Sequence, residues 1–187
     1  MPERSGWSLG DDLPVIVWIN GPFGVGKSTV ATLLAEAWPE ATVFDPEYLG
    51  FLLRRRQPSD AVVGDFQELS VWRRLVRETA ARLLRDFGHP LVVPITLLRP
   101  AYFDEIVGGL REEGVEVRHF CLVAGRDDVL RRTAQRGDPT EWAEQTYDEY
   151  ESAIPDDRFA DHLDAVALDA PPLAATIAEA LHLPSRA

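Results

Sequence analysis

Short apolar runs alternate along the chain with longer segments whose apolar residues recur at helical spacing. The first run, Val15 to Ile19, is continuous and rich in β-branched residues, which predicts a buried strand. The same reasoning predicts five strands, at 14–19, 41–44, 91–97, 115–123 and 165–168. Helices are predicted between and after them, at 27–38, 66–87, 101–113, 127–136, 139–153 and 173–181.

This alternation predicts an α/β fold, with five strands in a parallel, doubly wound sheet and helices on both faces. One domain is expected over residues 13–187, preceded by a frayed tail at 1–12. Ligands of such sheets bind outside the carboxyl ends of the strands. The residues that follow each strand are therefore the first candidates for a functional site.

Charge and composition argue against several classes of partner. The 187 residues carry a net charge of −12, which argues against binding to nucleic acid or to an anionic membrane surface. We see no signal peptide and no apolar run near the roughly 20 residues of a membrane span, so we expect a cytoplasmic protein without stable membrane insertion. Cys121, the only cysteine, lies in an apolar run and is expected to be a core thiol. The four histidines show no metal-ligand spacing.

Residues 21–28 read Gly-Pro-Phe-Gly-Val-Gly-Lys-Ser, which is the G-x-x-x-x-G-K-[ST] phosphate loop, between a predicted strand and a predicted helix. Its glycines let the backbone curl around a phosphate, and its N–H groups and the helix N-terminus attract negative charge. Lys27 is expected to contact the β- and γ-phosphates of ATP, and Ser28 to ligate Mg²⁺. The predicted nucleotide-binding residues here are Gly21, Phe23, Gly24, Val25, Gly26, Lys27, Ser28 and Thr29.

Asp45 follows the second predicted strand and has two interpretations. As a catalytic residue of a phosphoryl transferase, it would accept the proton of an acceptor hydroxyl or hold Mg²⁺. As a structural residue, it would cap a short helix that begins at Pro46.

A second group of residues is predicted to bind the substrate. Arg54 would recognise an anionic or carbonyl-rich group, or else belong to a solvated basic run. Phe66, Gln67 and Trp72 suit a flat heterocycle, although a core stripe is the simpler interpretation of the helix that carries them. Thr96, at the end of the third strand, completes this predicted group, and the segment from Gln57 to Gly64 is expected to be a mobile flap.

Arg132 and Arg136 are four residues apart on a predicted helix, and a short polar segment follows them. This arrangement is typical of a lid in which Arg132 stacks on the nucleotide base and Arg136 neutralises the transferring phosphate. The alternative is that both are ordinary surface arginines. The backbone of Asp169 to Pro172, including Pro171, is expected to border the base.

The third predicted strand, Leu91 to Leu97, has no aspartate at its end, so the usual Walker B carboxylate is missing. Magnesium would then depend on Ser28, water and Asp45. This weakens the hypothesis of a motor or switch GTPase and is compatible with a small-molecule kinase.

Several stretches beyond the generic phosphate loop resemble the tunicamycin-resistance proteins of the TmrB type. They are Trp18–Ser28, Phe44-Asp45-Pro46-Glu47, Leu49–Arg54, Asp65-Phe66-Gln67, Trp72-Arg73, Val93-Pro94-Ile95-Thr96, and Pro100 through Tyr102-Phe103 to Glu105-Ile106. Tyr102 joins the predicted substrate residues on this resemblance. The similarity spans about residues 14 to 170.

The resemblance implies an ATP-binding protein with a fold similar to chloramphenicol phosphotransferase and shikimate kinase. In those kinases an acid after the second strand is the catalytic carboxylate, and Asp45 is the matching position. The implied substrate is nucleoside-like: tunicamycin, an antibiotic with uracil and sugars, or another uridine-containing molecule. Proteins of this type have been associated with the membrane through an amphipathic C-terminus, whereas the tail after Pro172 is short here.

Two hypotheses from different classes remain. In the first, the protein is an enzyme that transfers the γ-phosphoryl group of ATP to a hydroxyl of the antibiotic. In the second, it binds and sequesters the antibiotic, and ATP only closes the site. Asp45 separates them, because a carboxylate is needed to position a nucleophilic hydroxyl but not to hold a drug.

Overall fold

The computed structural model describes residues 15–55, 64–159, 161–166 and 169–183. The strands are β1 (Val15–Asn20), β2 (Thr42–Val43), β3 (Leu91–Pro94), β4 (Glu116–Val123) and β5 (His162–Asp164). The α-helices are α1 (Lys27–Ala37), α2 (Glu47–Arg54), α3 (Ser70–Phe87), α4 (Pro100–Phe103), α5 (Gly109–Glu112), α6 (Arg126–Arg136), α7 (Thr140–Ala153) and α8 (Ala170–Ala180). A π-helical stretch, Asp104–Gly108, joins α4 to α5, and 3₁₀ turns lie at Phe66–Glu68 and Asp157–Phe159.

The five strands form one parallel sheet in the order β2-β3-β1-β4-β5, with helices packed around it, which confirms the predicted α/β class. In the centre, Trp18 of β1 lies opposite Val93 of β3 on one side and His119 of β4 on the other. The strands that follow β1 along the chain lie on both sides of it, so the sheet has a topological switch point at β1. The carboxyl end of β1, where the phosphate loop begins, is thus where a ligand is expected.

The apolar pattern of β1 has the predicted consequence, since all six of its residues are buried. On the helical layers, α1 packs against α8, and α3 packs against α2 and α5. Cys121 has no exposed surface, and burial raises the pKa of its thiol to about 12, so the expectation of a core thiol is confirmed.

The last strand was predicted at 165–168 and lies earlier, at His162–Asp164, because Ala165 and Val166 form a turn; residues 167 and 168 lie outside the described residues. Two of its three residues are exposed, and it is the edge strand of the sheet, so it carries no apolar pattern. The side chain of Asp164 accepts a hydrogen bond from the backbone of Val166 at 2.8 Å, which supports the turn.

The predicted helix at 66–87 is divided, and this division shapes the site. Phe66–Glu68 forms a separate 3₁₀ turn, which the side chain of Asp65 caps by accepting a hydrogen bond from the Gln67 N–H at 2.9 Å. Leu69 is extended, and α3 begins after it. The third strand is also shorter than predicted and ends at Pro94, so Ile95 to Arg99 form a loop at the carboxyl edge of the sheet.

Some predictions fall on other parts of the chain. The tail at 1–12 and most of the predicted flap, residues 57–63, lie outside the described residues. The described helices include none that is both long and apolar enough to span a membrane.

Candidate functional site

The phosphate loop has a backbone that only glycine adopts easily. Gly21, Gly24 and Gly26 have φ angles of 133°, 89° and 110°, in the region that side chains disfavour. A Cβ at Gly21 would lie 2.6 Å from the Leu122 carbonyl oxygen, and one at Gly24 would lie 2.4 Å from Thr133 Oγ1. Gly24 therefore packs directly against α6, a role that the sequence pattern did not indicate.

Asn20 fixes the start of the loop, and sequence reasoning missed it as a functional residue. Its fully buried amide nitrogen donates to the Leu97 carbonyl at 2.7 Å. Its amide oxygen accepts from the N–H groups of Gly21 at 2.9 Å and Leu97 at 2.8 Å. The side chain thus ties the end of β1 to the loop after β3, with all of its partners on the backbone.

Lys27 lies where these two segments meet. Its ammonium group donates to the carbonyls of Gly21 at 3.0 Å and Pro22 at 2.9 Å, and to Thr96 Oγ1 at 2.7 Å. Burial lowers the pKa of Lys27 to about 8, and the nearby Glu47 carboxylate partly opposes this shift. The lysine is held at the loop, as predicted for a phosphate-binding residue, and Thr96 holds it there.

Two carboxylates begin α2, and only the first was predicted as a site residue. Asp45 Oδ1 accepts a hydrogen bond from the N–H of Glu47, the first residue of α2, at 2.9 Å, so Asp45 has a structural role at the start of this helix, one residue before the N-cap Pro46. Glu47 affects the pKa of Lys27 more strongly than Asp45 does. Burial, and then repulsion from Asp45, raises the pKa of Glu47. The signal for Glu47 was its position in the Phe-Asp-Pro-Glu stretch.

Phe66 and Gln67 belong to the 3₁₀ turn before α3, which lies beside the loop that holds Thr96. The Gln67 side-chain amide donates to the Thr96 carbonyl at 2.7 Å, which brings the 3₁₀ turn beside Lys27's partner. Phe66 packs so closely on α2 that a Cβ at Gly50 would lie 2.6 Å from its ring. Gly50 was not predicted to matter, and it is what lets the ring approach the helix.

The prediction that Trp72 contacts the substrate needs correction. Its side chain has no exposed surface, and its indole N–H donates to the Pro46 carbonyl at 3.1 Å. The Phe66 ring lies 5.0 Å away between centroids. Trp72 is therefore a core residue that supports Phe66 and the start of α2, because the apolar stripe of α3 faces inward.

Arg54 and Tyr102 are engaged with other protein groups. The Arg54 guanidinium donates to the Gly64 carbonyl at 2.6 Å and lies 5.2 Å from the centre of the Phe66 ring. The Tyr102 ring lies beneath two guanidinium groups, at 4.1 Å from that of Arg73 and 5.4 Å from that of Arg99. Arg54 thus lies beside Phe66, and Tyr102 lies against an arginine that donates to the Gln67 carbonyl, whereas their contact with a substrate stays a prediction.

On the opposite side of the loop, a cavity of about 330 Å³ lies between the loop, α6 and the start of α8. Arg132 and Arg136 both line it, with Thr29, Gln135, Asp169 and Ala170. Arg132 donates to the carbonyls of Val25 at 3.3 Å and Ala165 at 2.7 Å. Arg136 pairs with Asp138 at 2.8 Å and lies 5.9 Å from the Phe23 ring. The structure therefore brings the predicted lid arginines to the loop, and Pro171 follows a residue that lines the cavity.

The metal prediction rests on few protein groups. In the part of the chain that the structure describes, no group of three or more His, Cys, Asp or Glu side chains is arranged to hold a metal ion. Magnesium in phosphoryl transferases commonly keeps several waters and takes one or two protein ligands plus phosphate oxygens. Ser28, exposed in the first turn of α1, and the carboxylates of α2 fit that pattern.

Comparisons with known proteins agree with this geometry. A family model described as an AAA domain matches residues 16–155. The structure of the tunicamycin resistance protein of Deinococcus radiodurans is similar with a TM-score of 0.78, at 33% identity over 91% of this chain and 97% of that one. The chain belongs to the AAA domain family and to the family of this resistance protein. The resemblance to tunicamycin-resistance proteins is thereby confirmed.

More distant structures share the fold. A gluconokinase of Sinorhizobium meliloti has a TM-score of 0.63 at 19% identity, over 92% of this chain and 98% of that one. The APS kinase of Mycobacterium tuberculosis, solved with AMPPNP and APS, has a TM-score of 0.62 at 20% identity, over 92% and 99%. No curated protein sequence matches the chain significantly. The protein thus has the fold of an ATP-dependent small-molecule kinase.

Proposed function

We propose that the protein transfers the γ-phosphoryl group of ATP to a hydroxyl of a nucleoside antibiotic of the tunicamycin type, and so gives resistance. The observation that supports this most is the convergence of Lys27, Thr96 and Glu47 at one end of the sheet, in a chain 33% identical to a tunicamycin resistance protein. The cavity lined by Arg132 and Arg136 would hold the nucleotide on one side of the phosphate loop. Phe66 and Gln67 lie on the other side, so phosphoryl transfer would occur between the two.

On the nucleotide side, the residues act by positioning and by charge. The loop N–H groups and Lys27 would hold the β- and γ-phosphates, with Arg136 close enough to Gly24, at 3.4 Å from its carbonyl, to neutralise the transferring group. Arg132 borders the cavity where the base would lie. Mg²⁺, held by Ser28 and a carboxylate of α2, would supply charge neutralisation at the phosphates.

On the acceptor side, a carboxylate of α2 would orient the hydroxyl. The hydroxyl oxygen attacks the γ-phosphorus, the bond from phosphorus to the bridging oxygen of ADP breaks, and the hydroxyl proton passes to the carboxylate. We assign this role to Glu47 rather than to Asp45 alone, because one oxygen of Asp45 already accepts the first N–H of α2 and Glu47 raises the pKa of Lys27 more than Asp45 does. Phe66, Gln67 and Thr96 would place the acceptor's ring and polar edges.

The test is mass spectrometry of tunicamycin after incubation with protein, ATP and Mg²⁺. The proposal expects a product heavier by one phosphate, and it expects Lys27→Ala to form none while remaining folded. Calorimetric titration with a non-hydrolysable ATP analogue gives the control, because the same substitution should weaken nucleotide binding on the order of 100-fold. Drug binding without any phosphorylated product in the wild type would reject transfer and support sequestration instead.

A further inference from the structure

The acceptor side of the site can be located through a chain of short contacts. Lys27 Nζ donates to Thr96 Oγ1, the Thr96 carbonyl accepts from the Gln67 amide at 2.7 Å, and the Gln67 N–H donates to Asp65. Arg99 lies three residues after Thr96 in the same loop. The 3₁₀ turn and this loop therefore border the space in front of Lys27, where an acceptor hydroxyl has to lie.

Three carboxylates lie at this border and are called the acidic rim: Asp65 and Glu68 belong to the 3₁₀ turn and its cap, and Glu149, on α7, is joined to the border through Arg99. Arg99 is the cation among them, and it donates to Glu68 at 2.6 Å and to Glu149 at 2.8 Å through its two terminal nitrogens. Burial raises the pKa of Asp65, and Glu149 and Glu68 act in the same direction while the Asp65 hydrogen bond and Arg99 oppose them. The three carboxylates and Arg99 together carry an excess of two negative charges, and the fork of Arg99 is already filled by carboxylates.

Two further arginines near the acceptor side are also engaged. Arg73 forms an ion pair with Glu105, donates to the Gln67 carbonyl and lies against the Tyr102 ring. Arg54 donates to the Gly64 carbonyl and lies over Phe66. Among the described residues here, the three guanidinium groups of Arg54, Arg73 and Arg99 each have carboxylate, carbonyl or aromatic partners. Asp45 and Glu47 add two more negative charges beside Lys27, whose own charge is needed by ATP.

We infer that the acceptor is an uncharged molecule rich in hydroxyl and amide groups, and that the acidic rim rejects analogues that carry a phosphate or a carboxylate. This inference rests on the proposed phosphoryl transfer and specifies its substrate class. An anionic acceptor would have to approach these carboxylates, while the guanidinium groups of Arg73 and Arg99 are already paired with carboxylates of the protein. Like charges that come close in a partly desolvated site weaken binding. Neutral hydroxyls instead donate hydrogen bonds to carboxylates.

The experiment compares a neutral with an anionic acceptor in two pairs that differ mainly in charge, uridine with UMP and glucose with glucuronate, and it tests tunicamycin as a third neutral acceptor. Binding is measured by calorimetry in the presence of a non-hydrolysable ATP analogue, and transfer by mass spectrometry with ATP and Mg²⁺. For the pair whose neutral member binds, we expect the anionic member to bind at least about 30-fold more weakly.

Glu68→Gln tests the residues that cause the preference, since it removes one rim charge and frees one nitrogen of Arg99. This variant should raise the affinity for the anionic member relative to that for the neutral one by about three- to tenfold. Glu116→Gln is the matched control, because Glu116 is an exposed residue at the amino end of β4, the opposite edge of the sheet. It should leave the ratio unchanged.

Each outcome decides something. An anionic member that is bound and phosphorylated as well as its neutral partner would overturn the inference while phosphoryl transfer stands. A ratio that Glu68→Gln and Glu116→Gln change equally would overturn the role of the rim. Transfer to a neutral acceptor other than tunicamycin would overturn the proposed antibiotic substrate and support the inference, and no binding or transfer with any member would reject both.

Discussion

The two carboxylates at the start of α2 can be separated by a matched pair of substitutions, Asp45→Asn and Glu47→Gln. Each removes one negative charge and keeps the shape of the side chain. The Asp45 carboxylate accepts a hydrogen bond from the Glu47 N–H at 2.9 Å, and an asparagine side-chain oxygen can accept the same bond. The free energy of unfolding should therefore change by less than about 0.5 kcal/mol. Burial raises the pKa of Glu47, so its charged form is disfavoured in the fold and Glu47→Gln should be as stable or slightly more stable.

The catalytic effect should differ between the two variants. A group that positions the acceptor or takes its proton contributes roughly 10²- to 10⁴-fold in rate, and we expect this loss in Glu47→Gln and a smaller one in Asp45→Asn. Glu47 is the largest of the influences that raise the pKa of Lys27, which burial lowers to about 8. Without Glu47 the lysine loses its proton closer to neutral pH. Affinity for ATP should therefore decline at a lower pH in Glu47→Gln than in the wild type.

Three measurements on the three proteins check this reasoning. They are product formation by mass spectrometry, titration with a non-hydrolysable ATP analogue at pH 6.5, 7.5 and 8.5, and thermal unfolding. Wild-type turnover in both variants would show that both carboxylates are structural. A collapse confined to Asp45→Asn would contradict our assignment to Glu47, and identical pH profiles in all three would contradict the coupling between Glu47 and Lys27.

Three other perturbations have defined outcomes. Asn20→Ala leaves two buried N–H groups and a carbonyl without their partner, so it should destabilise the fold by about 2–4 kcal/mol in chemical denaturation. Unchanged stability would refute the role of Asn20 in tying β1 to the loop after β3. Gly24→Ala would clash with α6 whereas Gly26→Ala meets nothing within 4 Å, so nucleotide affinity should fall further in the first, and equal losses would implicate backbone strain alone. Burial lowers the pKa of His119 to about 4, below the unfolded value near 6.5, so stability should fall by up to about 3 kcal/mol between pH 6.5 and 4. That loss should be smaller in His119→Phe, and equal pH dependence in both proteins would contradict it.

The parts of the site that sequence predicted well are those set by local pattern. The phosphate loop needs glycines, a lysine and a hydroxyl at fixed spacing, and its strand and helix have strong periodicity of their own. The parts that were missed depend on contacts between distant segments. Asn20 bonds Leu97 across 77 residues, and Gly24 touches Thr133, so neither role has a signature in its neighbours along the chain.

The error over Trp72 and the omission of Glu47 have a common physical origin. Both depend on which side chains of α2 and α3 face the site near Lys27, and this orientation cannot be derived from the sequence pattern. The division of the predicted helix at Leu69 turns Gln67 toward Thr96 and Trp72 toward the core, beneath Pro46. A single continuous helix from 66, as periodicity predicted, would have no reason to separate these two side chains in this way.

The end of β3 connects the missing Walker B carboxylate with the proposed role of α2. In the loop after β3, where a Walker B protein carries its metal-binding aspartate, this chain has Thr96, whose hydroxyl accepts from Lys27 at 2.7 Å and donates to the Gly21 carbonyl at 3.0 Å. A carboxylate there would face the Gly21 carbonyl and repel it, so the threonine suits this loop better. Negative charge near Lys27 then comes from the other side, from Asp45 just before α2 and from Glu47 at its first residue, and the same helix also supports Phe66. Under the proposed function, α2 therefore positions the metal and the acceptor together, and substitutions that shift α2 without touching a carboxylate should slow turnover. Gly50→Ala is the most direct of these substitutions, because the added Cβ would lie only 2.6 Å from the Phe66 ring and would force the ring to move. Unchanged turnover in that variant would refute the coupling between the position of α2 and catalysis.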